Sequence, residues 1–224
     1  MGTYITGDCH GNFEKLILFA IRMHLTENDN ILVLGDMGLC WRKDGEDLKK
    51  FIYRWEEKLE VKPMLYFIDG NHENFDLLKT FNDGIISAHI RWLPRGTVRE
   101  FEGKRCLFIG GADSIDKFRR TKHLSWWEDE QITQEDIDKC PEGTYDYVFS
   151  HCCPYSVFEK YYPYLADPQF MGKEFDKTSE QMLDKLKDKI KYEHWYFGHY
   201  HKDKHFYDNE GIYCCLYEGW EEIR

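Results

Sequence analysis

The sequence has 224 residues, a formal net charge of -11, 42% hydrophobic residues and 17% aromatic residues. These values predict one domain over residues 1–224 with a sizeable core, and they exclude a disordered chain. The acidic balance argues against a general binder of nucleic acids or anionic membranes, since such proteins need a basic face. No apolar run resembles a signal peptide or a transmembrane helix, so we expect a cytoplasmic protein that does not bind membranes.

The eight cysteines are expected to be reduced thiols in that compartment. The adjacent pairs Cys152-Cys153 and Cys214-Cys215 lack the spacing of a zinc finger, and no C-x-x-C occurs. We therefore predict that the cysteines are small apolar residues, buried or half-buried.

The first part of the chain alternates predicted strands and helices. The pattern predicts a strand at 3–6, a helix capped by Asn12 with apolar positions through Met23, a strand at 31–34, a helix at 48–59, a strand at 64–68 and a short helix at 74–81. This β-α-β-α-β-α order implies parallel strands joined by right-handed crossovers.

The second part of the chain mixes hairpins with further strands and helices. The pattern predicts a hairpin of 97–101 with 105–109, a loop at 113–127, a helix at 134–139, a strand at 145–149, a helix at 182–190, a strand at 194–197 and a hairpin of 204–207 with 212–217. The segment 154–177 is rich in proline and tyrosine and has no core periodicity, so it is interpreted as a lid or flap.

Polar residues cluster where the apolar runs end. Ile31-Leu32-Val33-Leu34 reads as a strand buried on both faces, and Gly35-Asp36 follows it at once. Four other runs end in the same way. In open α/β sheets, ligands collect at the carboxyl ends of the strands. We therefore predict one site that contains Asp8, His10, Asp36, Asn71, His72, His151, His199 and His201.

These side chains offer carboxylate, amide and imidazole groups, which are the ligands of a divalent transition metal. Asp8/His10 and His199/His201 are expected to point to a common centre as alternate residues of extended segments. Two metals about 3.5–4 Å apart need a shared anionic ligand. Asp36, at the end of a central strand, is predicted to bridge them. The other five histidines are expected to be structural, namely His24, His89, His123, His194 and His205.

Five short blocks of the sequence contain the predicted site residues. They are Gly7-Asp8-Cys9-His10-Gly11, Gly35-Asp36-Met37-Gly38, Gly70-Asn71-His72-Glu73, Ser150-His151 and Gly198-His199-Tyr200-His201. The blocks resemble the calcineurin-like metallophosphoesterase superfamily, in its bacterial and phage phosphoesterase branch. They occur in the family's order and span nearly the whole chain.

The resemblance implies an α/β fold, a four-layer α/β/β/α sandwich with two mixed β-sheets. It implies that one metal is held by Asp8, His10 and His201, that the other is held by Asn71, His151 and His199, and that Asp36 bridges them. Manganese is the expected metal, with iron, zinc, nickel and magnesium as alternatives. The implied substrate is a phosphate monoester or diester, nucleotide-like in one reading, and hydroxide generated at the metals would attack phosphorus. His72 would act as general acid, and Glu73 would support its loop.

The sequence departs from the phosphoprotein phosphatases of the superfamily, which continue the second block as GDxxDRG. Leu39 and Cys40 stand where those enzymes have an acidic residue that orients the histidine and a phosphate-binding arginine. A protein phosphatase is therefore not favoured, and the partner of His72 stays open. Asp69 belongs to the preceding strand and is not assigned that role.

The loop at 110–128 suggests a replacement for the missing arginine. Arg119 or Arg120 could clamp a phosphate oxygen, and Trp126 or Trp127 could stack on a flat group. A charged loop with packing tryptophans is the alternative reading. Two other functions stay open: a nuclease or nucleotide phosphodiesterase of the same superfamily, and an interaction module without catalysis. Cys9, between two ligands, is expected to face the core.

Overall fold

In a computed structural model that describes residues 1–42, 44–170 and 175–224, the chain folds into two β-sheets with helices packed against them. The strands are β1 Thr3–Thr6, β2 Asn30–Val33, β3 Met64–Phe67, β4 Ile90–Trp92, β5 Thr97–Phe101, β6 Lys104–Ile109, β7 Thr144–Ser150, β8 Lys191–Phe197, β9 Lys204–Tyr207, β10 Ile212–Cys215 and β11 Trp220–Glu222. The α-helices are α1 Glu14–Arg22, α2 Glu46–Lys58, α3 Phe75–Leu78, α4 Gln134–Lys139, α5 Tyr155–Lys160, α6 Tyr162–Leu165 and α7 Thr178–Lys189.

Both sheets are mixed. The first has the strand order β11-β1-β2-β3-β4, in which β1 to β4 are parallel and β11 is antiparallel to β1. The second has the order β5-β6-β7-β8-β10-β9, with parallel strands at its centre and an antiparallel strand at each edge. The carboxyl ends of the parallel strands in each sheet therefore lie at one edge of that sheet.

Three apolar layers hold the sheets and helices together. Successive side chains of β2 point to two different layers. Ile31 and Val33 pack with α1 and α2, whereas Leu32, and Leu34 just after the strand, face the layer between the sheets. The third layer lies between the second sheet and helices α4, α5 and α7. Helix, sheet, sheet and helix thus form four layers, and the predicted sandwich with two mixed sheets is confirmed.

Most predicted elements are present, with differences at their ends. The first helix begins after Phe13 with no side-chain cap, so the predicted cap at Asn12 is wrong. Met23 lies beyond the last turn and is 46% exposed, so it is not a core position. The pattern missed strands β4 and β11, which have three residues each and give too short a run to show an alternation.

The segment 154–177 contains α5 and α6, and its residues 171–174 lie outside the described residues. Val157, Phe158 and Leu165 of this segment are buried in the core layer of the second sheet. Its role as a lid stays a prediction. All eight cysteines are described; each is buried and none forms a disulfide. Cys9 packs in the layer beneath α1, as expected.

No helix within the described ranges combines the length and the apolar character that a membrane crossing requires.

Candidate metal centre

The predicted site residues follow five parallel strands at the edges where those strands end. Asp8 and His10 follow β1, Asp36 follows β2, and Asn71 and His72 follow β3. In the second sheet, His151 follows β7, and both His199 and His201 follow β8. The packing of the two sheets face to face brings these loops together.

One group of ligand atoms forms around Asp8. Its Oδ2 atom lies 3.2 Å from Nε2 of His201 and 3.5 Å from Nε2 of His10. The two imidazole nitrogens lie 2.9 Å from each other. One carboxylate and two imidazoles therefore face a common point, where they could hold one cation.

A second group forms around His151. Its Nε2 atom lies 3.4 Å from Oδ2 of Asp36 and 3.3 Å from Oδ1 of Asn71. The His199 ring approaches the His151 ring with centroids 5.1 Å apart. Nδ1 of His151 lies 2.6 Å from the carbonyl oxygen of Leu34. Donation to that carbonyl fixes one proton on Nδ1, and a metal bound at Nε2 would displace the other proton.

Asp36 lies between the two groups. Its Oδ2 atom is 3.9 Å from Nδ1 of His10 and 3.4 Å from Nε2 of His151. Its Oδ1 atom accepts a hydrogen bond of 2.8 Å from the backbone N–H of His72. The carboxylate is buried, so its position is set by the surrounding backbone.

The electrostatics of the cluster fit divalent cations. Oδ2 of Asp8 is buried and accepts no hydrogen bond from the described residues. Burial, reinforced by the charge of His151, lowers the pKa of His199 to about 3, so its imidazole is neutral and can act as a ligand. Burial opposes protonation of His151, but the carboxylates of Asp36 and Asp8 raise its pKa to about 10. Buried anions in this cluster thus attract a cation.

The backbone of the ligand loops turns sharply. His10, Asp36, His199 and His201 have positive φ values of 45°, 45°, 65° and 52°. The expectation that Asp8/His10 and His199/His201 project from extended segments is therefore wrong, because left-handed turns bring the side chains together. Gly70 is required by the same crowding, since a Cβ atom there would overlap the Asp36 carboxylate.

Asn71 is oriented by a buried chain of hydrogen bonds that the sequence did not reveal. Its Nδ2 donates to Oγ of Ser114 at 3.1 Å, and that Oγ donates to Oε2 of Glu130 at 3.0 Å. The amide oxygen of Asn71 is thereby turned toward His151. Burial raises the pKa of Glu130 to about 7, although Ser114 and Trp126 donate hydrogen bonds to it.

Glu73 supports its loop, as predicted. Its Oε1 atom accepts hydrogen bonds from the backbone N–H groups of Met37 at 2.8 Å and Gly38 at 3.3 Å. These bonds join the loop after β3 to the loop after β2.

The partner of His72 is an arginine. Nη2 of Arg120 lies 3.2 Å from Nε2 of His72, and a guanidinium can only donate, so this Nε2 accepts. Burial lowers the pKa of His72, and the positive charge of Arg120 lowers it further. The Asp36 carboxylate acts in the opposite direction without reversing the shift. Asp69 has another role, since its carboxylate binds Arg95 at 2.8 Å.

The structure distinguishes Arg120 from Arg119. Arg119 is exposed to solvent. The Arg120 side chain is 11% exposed and is anchored by Oδ1 of Asp116 at 2.7 Å. Its Nη1 is buried and donates no hydrogen bond to a described residue. Arg120 is therefore the candidate phosphate clamp.

The two tryptophans that were candidates for stacking have other roles. Trp127 is 1% exposed and lies in the core, and the indole N–H of Trp126 donates to Glu130 at 2.8 Å. An aromatic group beside His72 is Trp41, whose ring lies 5.5 Å from the His72 ring. The sequence carried only a weak signal for it, namely its position a few residues after Asp36.

The fold and this ligand cluster define a class of α/β proteins with a candidate metal centre at the edges of two sheets. The model of the calcineurin-like phosphoesterase family matches residues 1–203. The chain therefore belongs to the calcineurin-like phosphoesterase family. No curated protein is found as a significant relative.

Solved structures resemble this chain at low sequence identity, and one of them shows the same fold. One crystal structure is 12% identical with a TM-score of 0.57, and the match covers 96% of this chain and 90% of the other. A putative 5'-nucleotidase from Staphylococcus aureus is 11% identical with a TM-score of 0.49, over 99% of this chain and 50% of the other. The phosphopantetheinyl hydrolase from Mycobacterium tuberculosis is 13% identical with a TM-score of 0.47, over 96% of this chain and 89% of the other.

Proposed function

We propose that this protein is a metal-dependent hydrolase of phosphate esters that works with two divalent cations. The observation that carries the proposal is the position of the buried Asp36 carboxylate between two ligand groups, within 3.9 Å of His10 on one side and 3.4 Å of His151 on the other. Membership of the phosphoesterase family supports the same reaction.

In this proposal the first cation is held by Asp8, His10 and His201, the second by Asn71, His151 and His199, and Asp36 bridges them. The mixed oxygen and nitrogen donors suit manganese, with iron, zinc, nickel and magnesium as alternatives. The cations would supply a water acidified for attack and would neutralise charge on the phosphate.

The remaining residues act on the substrate. The buried Nη1 of Arg120 would donate to a phosphate oxygen, and Nη2 would exchange its contact with Nε2 of His72 for a contact with the same phosphate. His72 would then hold a proton at Nε2 and donate it to the leaving oxygen.

Two broader inferences belong with this function. We infer that residues 1–224 act as one domain, because β11 pairs with β1 across the chain. The eight buried, unpaired cysteines fit a reducing compartment such as the cytoplasm.

The first test is hydrolysis of p-nitrophenyl phosphate and of a p-nitrophenyl diester by protein freed of metal and titrated with Mn²⁺. We expect turnover to rise with Mn²⁺ and to level off at two ions per chain. The bound ions are counted by elemental analysis. If the protein binds two ions and hydrolyses neither ester, the proposed function is wrong and the interaction module is favoured.

Arg120→Ala is expected to lower kcat/KM about 10- to 100-fold, the loss that corresponds to one charge-assisted hydrogen bond. The inhibition constant of inorganic phosphate should rise in parallel, because phosphate would use the same donor. The measurement is steady-state kinetics with phosphate as competitor. Arg119→Ala, one residue away and exposed, is the matched control and should behave as wild type. Equal behaviour of the two variants would refute the clamp.

A further inference from the structure

Two clefts open over the candidate metal centre and meet at His72. The first, which we call the α2 cleft, has a volume of about 430 Å³ and is lined by His10, Trp41 and Lys50 among others. The second, the α6 cleft, has a volume of about 250 Å³ and is lined by Asn71, His199 and Tyr162 among others. His72 lines both clefts, so a phosphate at the metal centre would face each of them.

The α2 cleft has an aromatic wall whose rings are tilted against one another. Trp41 lies beside His72 and contacts the buried Trp127 edge-to-face, with ring centroids 6.4 Å apart. Phe13 and Phe51 also line this cleft and pack against each other with centroids 4.3 Å apart. Such a wall suits the face of a planar or apolar group on a substrate.

The α6 cleft has a different wall of aromatic rings. Phe158 contacts Tyr162 edge-to-face at 5.4 Å and stacks on Tyr200 at 5.5 Å. Nζ of Lys177 lies 4.1 Å above the Phe158 ring, and Lys202 adds a second cation to the lining. This cleft therefore also suits an organic group, and its lining is balanced in charge because three aspartates stand there with three cationic side chains.

We propose that the substrate is a phosphodiester with an organic group on each ester oxygen, one in the α2 cleft and the other in the α6 cleft. The inference rests on the proposed phosphoesterase activity. A monoester has a single organic arm, so it would fill one cleft and leave the other to water. In the reaction, the oxygen of water bonds to phosphorus and one P–O ester bond breaks. The leaving oxygen takes a proton, and the products are an alcohol and a phosphate monoester.

Three substrates with the same leaving group test the second arm. These are p-nitrophenyl phosphate, methyl p-nitrophenyl phosphate and phenyl p-nitrophenyl phosphate, each assayed with the Mn²⁺-loaded protein. We expect kcat/KM to be lowest for the monoester and at least about tenfold higher for the phenyl diester than for the methyl diester, because burying a ring contributes more than 1.4 kcal/mol.

Variants assign the clefts to the two arms. Trp41→Ala changes the α2 cleft and Tyr162→Ala the α6 cleft. One of them should lower kcat/KM for all three esters, which places the leaving group in its cleft. The other should lower kcat/KM for the phenyl diester alone, which places the second arm. Tyr53→Ala and Tyr164→Ala remove exposed tyrosines (67% and 59% exposed) that line neither cleft, and they should match wild type.

The outcomes separate this inference from the proposed function. A monoester preferred by wild type, or equal kcat/KM for the two diesters, would overturn the two-arm substrate and leave the phosphoesterase standing. Absence of hydrolysis of all three esters at full metal loading would overturn both. The comparison of substrates uses wild-type protein, so it decides the question even if a variant fails to fold.

Discussion

Asp36→Asn is expected to lower phosphoesterase activity by about 10³-fold or more. An asparagine offers one neutral carbonyl oxygen in place of two charged ones, so it cannot bridge two cations. The loss of several kcal/mol of charge stabilisation in the transition state corresponds to three powers of ten in rate. The buried position of Asp36 between His10 and His151 leaves no other described carboxylate to take its place except Asp8, which the first ligand group already uses.

The decisive measurement for Asp36→Asn is the number of metal ions per chain, taken with the kinetics. We expect it to fall from two to one or none, which distinguishes loss of the bridge from a purely catalytic defect. Asp44→Asn is the control, because the Asp44 side chain is 49% exposed, where it pairs with Arg42 and accepts a hydrogen bond from the backbone N–H of Glu46. Two tightly bound ions together with wild-type turnover in Asp36→Asn would contradict the bridging role.

His72→Ala is expected to lower kcat by about 10²- to 10⁴-fold on alkyl phosphate esters, which is the usual contribution of a general acid. On p-nitrophenyl esters the loss should be much smaller, because the nitrophenolate leaves without protonation. The backbone N–H of residue 72 still donates to Asp36 in this variant, so the metal centre should be kept. The measurement is kcat against the basicity of the leaving group, together with metal content.

The pattern of the His72→Ala data decides between catalysis and support. An equal loss on every leaving group, with fewer metal ions bound, would assign His72 a structural role. His205→Ala serves as the control, since His205 on β9 pairs with Glu221 on β11 and is absent from both clefts.

The candidate site could be found from the sequence because its ligands follow strands directly. A buried run of apolar residues fixes where a strand ends, and parallel strands end at one edge. The preceding apolar run Ile31-Leu32-Val33-Leu34 was enough to predict that Asp36 lies at this edge of the sheet. The alternation of strands and helices predicted the parallel strands, whereas the four-layer sandwich with two mixed sheets was implied by the resemblance to the family.

The residues around the ligands could not be placed in this way. Arg120 meets His72 across 48 positions of sequence, and Ser114 meets Asn71 across 43. Both belong to a loop without periodicity, and neighbours such as Arg119 and Arg120 differ only in how that loop turns. The left-handed ligand turns were also missed, because a local pattern does not report φ for histidine or aspartate.

The positive φ values of four candidate ligand residues (His10, Asp36, His199 and His201) reduce the folding stability of this protein. Each such residue costs about 1 kcal/mol relative to ordinary backbone, and the whole stability of a domain is only about 5–15 kcal/mol. Glycine at these positions would relieve the cost and abolish the ligands. Selection for activity therefore opposes selection for thermostability at these turns, and gains in stability have to arise elsewhere, in the three apolar layers of the sandwich.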